Sequence, residues 1–234
     1  MRPLNSSVRY FLVQRLRISN KKATELICSG QVLVNDQPAS VHQKIQPEDS
    51  IIVGNEEIRA GKRFTYWKYY KPRGVETTLN REIPDNLHTV LYLPPGLFPI
   101  GRLDKESEGL LLFSDNGRIF NKTLMTERHE KEYLVEVDRN LEHEHIRRLS
   151  SGIEIMGYTT RPCAVEKIGD KSFRIILTEG KNRQIRRMCY KLNLEVTRLT
   201  RVRIMHIGLD GLFPGLQTSL SEHEQARLLQ TLKL

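Results

Sequence analysis

Pro99–Asn116, PIGRLDKESEGLLLFSDN, is a polar loop that runs into a short, continuous apolar segment, Leu110–Phe113, with an Asn-Gly turn signal just after it at Asn116–Gly117. Such a run, bounded by turn residues, predicts a buried strand. Gly101 and Gly109 bracket the loop, where backbone without a Cβ can approach a ligand closely. Arg102 and Asp104 place opposite charges at the mouth of this strand. A cation beside a carboxylate favours its ionised form, the form that serves as nucleophile or general base. A local ion pair on a surface loop reads from the same residues.

Working outward, the composition narrows the class. The chain has 234 residues, enough for one large domain and a small one, and its 38% hydrophobic content fills a core. No run approaches the roughly 20 apolar residues of a membrane span, and MRPLNSSVRY has no apolar leader, so no membrane association is expected. Cys28, Cys163 and Cys189 are far apart and odd in number. They predict reduced, mostly buried thiols and a cytoplasmic protein. No C-x-x-C occurs and no histidine stands at zinc spacing from a cysteine, so no metal is expected. The formal charge is +9, in two zones. Residues 1–65 hold ten cations against six carboxylates, and residues 179–205 hold eight against two. Two basic zones on a near-neutral body predict a polyanionic partner held at two places.

In the N-terminal part, Val8, Phe11, Leu12 and Leu16 recur at helical spacing. Ser19 or Asn20 opens a second helix through Ala23, Leu26 and Ile27, which ends at Gly30. Short strands follow at VLVN, Val32–Asn35, and at Ile51–Val53. Arg9, Arg15, Arg17, Lys21 and Lys22 lie on the helices or at their joint, positions from which they reach RNA phosphates. The string Ser19–Asp36 resembles the S4 RNA-binding fold, which sets an S4-like domain over residues 5–60. Residues 61–65 read as a linker, and residues 66–234 as the larger domain.

There Tyr66, Trp67, Tyr69 and Tyr70 predict an aromatic strand ending at the turn Lys71-Pro72-Arg73-Gly74. HEKEYLVEV, His129–Val137, alternates as a strand, with Tyr133, Val135 and Val137 on one face. Glu179–Leu192 puts Ile185, Met188, Cys189 and Leu192 on a helical stripe, with Arg183, Arg186 and Arg187 largely off it. From Val196, alternation sets Thr197, Leu199 and Arg201 on one face of a strand. The tail opens on the capping box Ser221 to Glu224.

Gly101-Arg102-Leu103-Asp104, followed by the leucine run, resembles the catalytic motif of the pseudouridine synthases. It is most similar to the branch that modifies ribosomal RNA and carries an S4 domain in front. Tyr-Lys-Pro-Arg-Gly at 70–74, Lys131-Glu132-Tyr133 and the Gln-Ile-Arg segment at 184–186 resemble that family's further motifs. The resemblance implies an α+β fold around a mixed, mostly antiparallel sheet flanked by helices. It implies Asp104 as the catalytic aspartate, Arg186 as its ion-pair partner, and Tyr133 as the ring that stacks on the target base. It sets Leu199, Arg102 and Leu103 at the base pocket, and Lys71, Arg73, Arg183 and Arg187 along the RNA. By periodicity alone, Tyr133 and Leu199 read equally as core. The implied reaction breaks N1–C1′ of a uridine and rejoins the sugar at C5, with no redox change, so no cofactor is expected. The implied substrate is ribosomal RNA, with the large-subunit 23S RNA favoured by Arg203-Ile204-Met205, and the expected state is a monomer. Three other readings share parts of the pattern: a synthase for small-subunit RNA or transfer RNA, a non-enzymatic S4-type RNA binder, and a hydrolase pairing Asp104 with Glu106 or Glu108.

Overall fold

Ser7 and Ser19 open the two N-terminal helices, each accepting a backbone N–H with its hydroxyl, from Tyr10 at 3.3 Å and Lys22 at 3.1 Å. The structure is a computed structural model that describes residues 7–125 and 129–234. The expected start of the small domain at residue 5 lies outside the described residues. The chain divides between Phe64 and Thr65 into two units.

In the first unit the helices Val8–Leu16 and Asn20–Cys28 cover a four-stranded antiparallel sheet. Its order is Gln37–Pro38, Val32–Val34, Ile51–Val53, Glu56–Arg59. Asn35 and Asp36 both take positive φ, 51° and 62°, as the two-residue hairpin turn between the first two strands requires. Val8, Leu12, Ala23, Ile27, Val32, Val34, Ile45, Ile51 and Ile58 form the core. The strand Glu56–Arg59 falls where the sequence shows mostly charge. Arg15, Arg17, Lys21 and Lys22 are exposed, and Arg9 is half-buried.

The second unit is built on a nine-stranded sheet. Its main path is Ala164–Gly169, Ser172–Leu177, Lys131–Val137, Val196–Ile204, Glu108–Ser114, Tyr66–Lys71, Gln217–Ser219. Phe98–Ile100 and Ile207–Gly208 pair off this path. Every pairing is antiparallel except that of Val196–Ile204 with Glu108–Ser114, where Thr200 and Arg201 face Glu108 and Gly109. That parallel pairing extends over only two residues before the strands part.

Gly109 allows the approach. Its φ is +108°, and a Cβ there would sit 2.3 Å from the Arg201 carbonyl oxygen. The glycine therefore serves a strand-to-strand contact, and the expected close approach to a ligand is replaced by this one. The helix Gln184–Tyr190 packs Ile185, Met188 and Cys189 into the core beside Val135, Phe173 and Leu199. Tyr69 and Tyr70 are both buried although adjacent, because their strand is internal and both faces are covered. Cys189 is buried and Cys163 half-buried, but Cys28 is exposed, against the expectation of mostly buried thiols. Burial pushes the Cys163 thiol up to about 11 and the Cys189 thiol up to about 12, which keeps both protonated.

Candidate active site

The loop between Gly101 and Glu108 enters the sheet where its two parallel strands separate. Five consecutive carbonyls of this loop are held. Arg102 O accepts from Arg201 Nη1 at 3.3 Å, and Leu103 O from Thr77 Oγ1 at 2.6 Å. Asp104 O accepts from Ser107 N at 3.0 Å, Lys105 O from Gly74 N at 2.8 Å, and Glu106 O from Arg186 Nη2 at 3.1 Å. Thr77 also receives the Leu103 N–H, at 3.1 Å, so one buried hydroxyl clamps both sides of that residue. A loop fixed at every step presents its side chains in one geometry, which avoids reorganisation when a substrate binds.

Beside it lies a cavity of about 580 Å³, within the usual range of small-ligand sites. Asp104, Tyr133, Leu199, Arg102, Leu103 and Arg183 all line it. Leu103 and Leu199 are buried, Arg102 is exposed, and Tyr133 is half-buried with its ring packed on the core. Tyr133 and Leu199 thus belong to the core and to the cavity wall together.

Arg186 departs from the expected ion pair. Among the described residues no ion pair within 4.0 Å joins it to Asp104. Its Nη1 donates to Val196 O at 2.9 Å, its Nη2 to Glu106 O, and its Nε lies 3.8 Å from the Glu106 carboxylate. Two carbonyls and Glu106 engage the fork, so the guanidinium secures the loop. Asp104 acts on it only as a charge at longer range, opposing the fall in its pKa caused chiefly by burial.

Lys71 is corrected more sharply. It is 0% exposed, and its ammonium donates to Pro72 O at 2.9 Å and Val75 O at 2.8 Å, so it braces the turn under the loop and reaches no phosphate. Burial lowers its pKa to about 8, against the opposing pull of Glu76, Asp104 and Glu108. Arg73 is exposed and donates to Thr197 O at 3.1 Å. Arg183 pairs with Glu106 at 2.9 Å, and Arg187 is steadied by Asn182 through its carbonyl at 3.0 Å and its side chain at 3.1 Å.

Sequence reasoning assigned no role to Arg201 or Lys131, which also line the cavity. Arg201 is 4% exposed. Its Nε donates to Leu110 O at 2.8 Å, closing the gap where the parallel strands part, while its buried Nη2 has no hydrogen-bond partner among the described residues. Lys131 lines the same cavity, its pKa lowered by burial and then by Arg201. Alternation puts Arg201 on the face of Leu199, but a charge on a strand reads first as solvated.

The carboxylates nearby are engaged elsewhere. Glu106 is held by Arg183, which lowers its pKa. Glu108 accepts from Arg198 at 2.7 Å, Thr200 at 3.0 Å and Tyr70 at 3.3 Å. Glu179 reaches the cavity but accepts from Tyr158 OH and Gln184 Nε2, both at 2.7 Å, and from Arg161 N at 3.1 Å. Of the loop's carboxylates, Asp104 lines the cavity, together with buried Arg201, half-buried Lys131 and the Tyr133 ring, a set that suits chemistry on a flat heterocycle joined to a sugar. It does not suit two-carboxylate hydrolysis.

Comparison with known proteins agrees with that class. Residues 65–191 match the RNA pseudouridylate synthase family. The dual-specificity RNA pseudouridine synthase RluF of Escherichia coli (strain K12) is 36% identical over 218 residues, covering 92% of this chain and 75% of that one. The ribosomal large subunit pseudouridine synthase B of Bacillus subtilis (strain 168) is 33% identical over 221 residues, covering 90% of each. A crystal structure of a pseudouridylate synthase superposes with a TM-score of 0.66 at 25% identity, over 95% of this chain and 100% of that one. The chain belongs to the RNA pseudouridylate synthase family, and it is an isomerase that converts uridine in RNA to pseudouridine.

Proposed function

We propose that this enzyme isomerises a uridine of ribosomal RNA, in the large-subunit 23S RNA, with Asp104 acting on the ribose of a base lifted out of its stack. The names of the two relatives above, one of them a ribosomal large subunit synthase, support that target. The observation that carries the chemistry is the cavity in which Asp104, Tyr133 and Leu199 meet beside a loop pinned at five carbonyls. The ionised carboxylate attacks C1′ or takes a proton from the sugar; either step frees N1 and lets C5 turn toward C1′. The Tyr133 ring and Leu199 give the free uracil a platform, worth about 1–3 kcal/mol for a stacked base. Arg186 fixes the loop, and Arg201 Nη2 with Lys131 offers donors to the uracil oxygens. Atoms balance with C5 losing its proton and N1 gaining one, so no cofactor enters.

The first unit is proposed as an S4-like RNA-binding domain, with Arg15, Arg17, Lys21 and Lys22 on its exposed surface and Arg9 half-buried beside them. Lifting the uridine costs a few kcal/mol, and phosphate contacts from these residues and from Arg73, Arg183 and Arg187 offset it. The working form is proposed as a cytoplasmic monomer.

Incubation with 23S and 16S transcripts and transfer RNA, followed by mapping of pseudouridine, tests the target. The expected product is pseudouridine in 23S RNA, lost in Asp104→Asn with RNA binding retained. Modification confined to 16S RNA or transfer RNA overturns the target, and full activity in Asp104→Asn removes the aspartate from the mechanism.

A further inference from the structure

A second groove, of about 430 Å³, is lined by Ile155, Met156, Arg183, Arg186, Arg187, Tyr190 and Lys191. Arg183 also lines Asp104's cavity, so the two hollows share a wall. Tyr190 is the last residue of the helix Gln184–Tyr190 and is 79% exposed. Met156 is 71% exposed at the tip of a hairpin whose strands, Glu154–Ile155 and Tyr158–Thr159, leave a two-residue turn. Met156 and Gly157 take φ of 53° and 71°. That turn favours Asn-Gly, and a methionine in the left-handed region is disfavoured there. Neither burial nor turn geometry explains an unbranched apolar side chain at this tip. Four cationic residues and no carboxylate line the groove, and Asn182 steadies one of its guanidinium groups.

An exposed ring and a soft apolar side chain among cations form a stacking platform beside phosphate sites, the pattern that holds single-stranded nucleic acid. We propose that this groove is a second nucleotide subsite: an unpaired base of the substrate RNA, next to the target uridine, stacks on Tyr190 against Met156 while Arg187 and Lys191 meet its phosphates. This rests on the reading of the first cavity as the uridine site. Its occupant is committed to RNA by the charge of the groove and by the shared Arg183 wall.

The test uses the full chain and a single-stranded oligouridylate of about ten nucleotides, together with ribosomal RNA transcripts. Tyr190→Trp is expected to lose much of its new fluorescence on binding the oligonucleotide. Tyr190→Ala is expected to weaken binding about tenfold, with Tyr190→Phe within about twofold of wild type. Met156→Asn suits the turn better, so it is expected to keep the fold and still weaken binding. Fluorescence of the Tyr190→Trp variant that the oligonucleotide leaves unquenched, or Tyr190→Ala binding like wild type, overturns the subsite. So does a change in sedimentation by Tyr190→Ala without RNA, which identifies the surface as a contact between copies. Quenching that persists where wild type forms no pseudouridine in any transcript upholds the RNA subsite and overturns the proposed target instead.

Discussion

Thr77 carries more of the site than its size suggests. Its buried hydroxyl donates to Leu103 O and accepts from Leu103 N, one residue before Asp104. Thr77→Val keeps the shape and removes both bonds, so the loop loses its register. The single-turnover rate is expected to fall by about 10²-fold, the cost of an ångström of misplacement, with RNA affinity unchanged. Thr77→Ser restores the hydroxyl and most of the rate; a rate that survives Thr77→Val shows the other four anchors suffice. Lys71 makes a different prediction, in pH. Its folded pKa of about 8 is below the value near 10.5 of an unfolded lysine, so between these values the unfolded chain binds more protons. Stability from this residue therefore rises as pH climbs from about 8 to about 10.5, by up to about 3 kcal/mol, and the destabilisation is fully present below pH 8. Denaturant titrations of wild type and Lys71→Met are expected to differ in slope over that window, and parallel profiles would falsify the assignment. The resemblance set Lys71 along the RNA, and by itself a lysine beside a Pro-Gly turn reads as solvated. What the sequence could not show was that the turn folds back over the ammonium and supplies two carbonyls.

Among the elements, the parallel pairing of Val196–Ile204 with Glu108–Ser114 decides where the site lies. Two antiparallel blocks meet there over two residues and then diverge, and Arg201 fills the gap. Gly109→Ala puts a methyl 2.3 Å from Arg201 O at a φ of +108°, which that close pairing cannot accommodate. A loss of about 2–4 kcal/mol is expected, with activity falling further than stability because the loop begins at the same joint. Denaturation midpoints and turnover of the same preparation check this. At the other end of the sheet, Lys68 is buried against Asp210 at 2.6 Å and Glu224 at 2.9 Å, tying the strand Tyr66–Lys71 to the tail helix Glu222–Leu232. Lys68→Met leaves the mostly buried Glu224 carboxylate with its Ser221 hydrogen bonds but without its cation, at an expected cost of about 3 kcal/mol by chemical denaturation. Asp210→Asn, on an exposed partner, is expected to cost under about 1 kcal/mol. Long elements with a clean period, such as Lys131–Val137 and Val196–Ile204, were legible in the sequence. So was the capping box, where Ser221 and Glu224 exchange bonds at 2.8 and 3.2 Å. Whereas the equally short apolar runs Val32–Val34 and Ile51–Val53 were legible, the short polar strands Gln217–Ser219 and Tyr158–Thr159 were not, because a period cannot be seen in so few positions. Nor was the burial of Lys68 and Arg201, since each is satisfied by partners about 90 or more residues away in the chain.

For the whole molecule, the unequal distribution of charge matters more than the total of +9. The first unit carries exposed Arg15, Arg17, Lys21 and Lys22, and the second carries Arg183, Arg187 and Lys191 along its two hollows together with exposed Arg73. Many cations of the second unit also hold protein: Arg183 pairs with Glu106, and Arg73 holds Thr197 O. Of the four named in the first unit, Lys22 alone forms an ion pair among the described residues, with Glu25 at 3.6 Å on a well-exposed surface. The two zones should therefore respond differently to loss of charge. Each phosphate neutralised releases counterions, so log affinity falls with log salt by about 0.7–0.9 per contact. Changing Arg15, Arg17, Lys21 and Lys22 together to Gln is expected to flatten that slope by about 3, and to leave thermal stability and the saturated single-turnover rate where they were. Removing Arg183 alone is expected to flatten it by under about 1 and to slow the chemistry, because Glu106, in the pinned loop, loses its hydrogen-bonded cation at the same time. Binding isotherms of ribosomal RNA from about 50 to 200 mM salt separate the two, and an unchanged slope in the fourfold variant would remove the first unit from the RNA-binding surface.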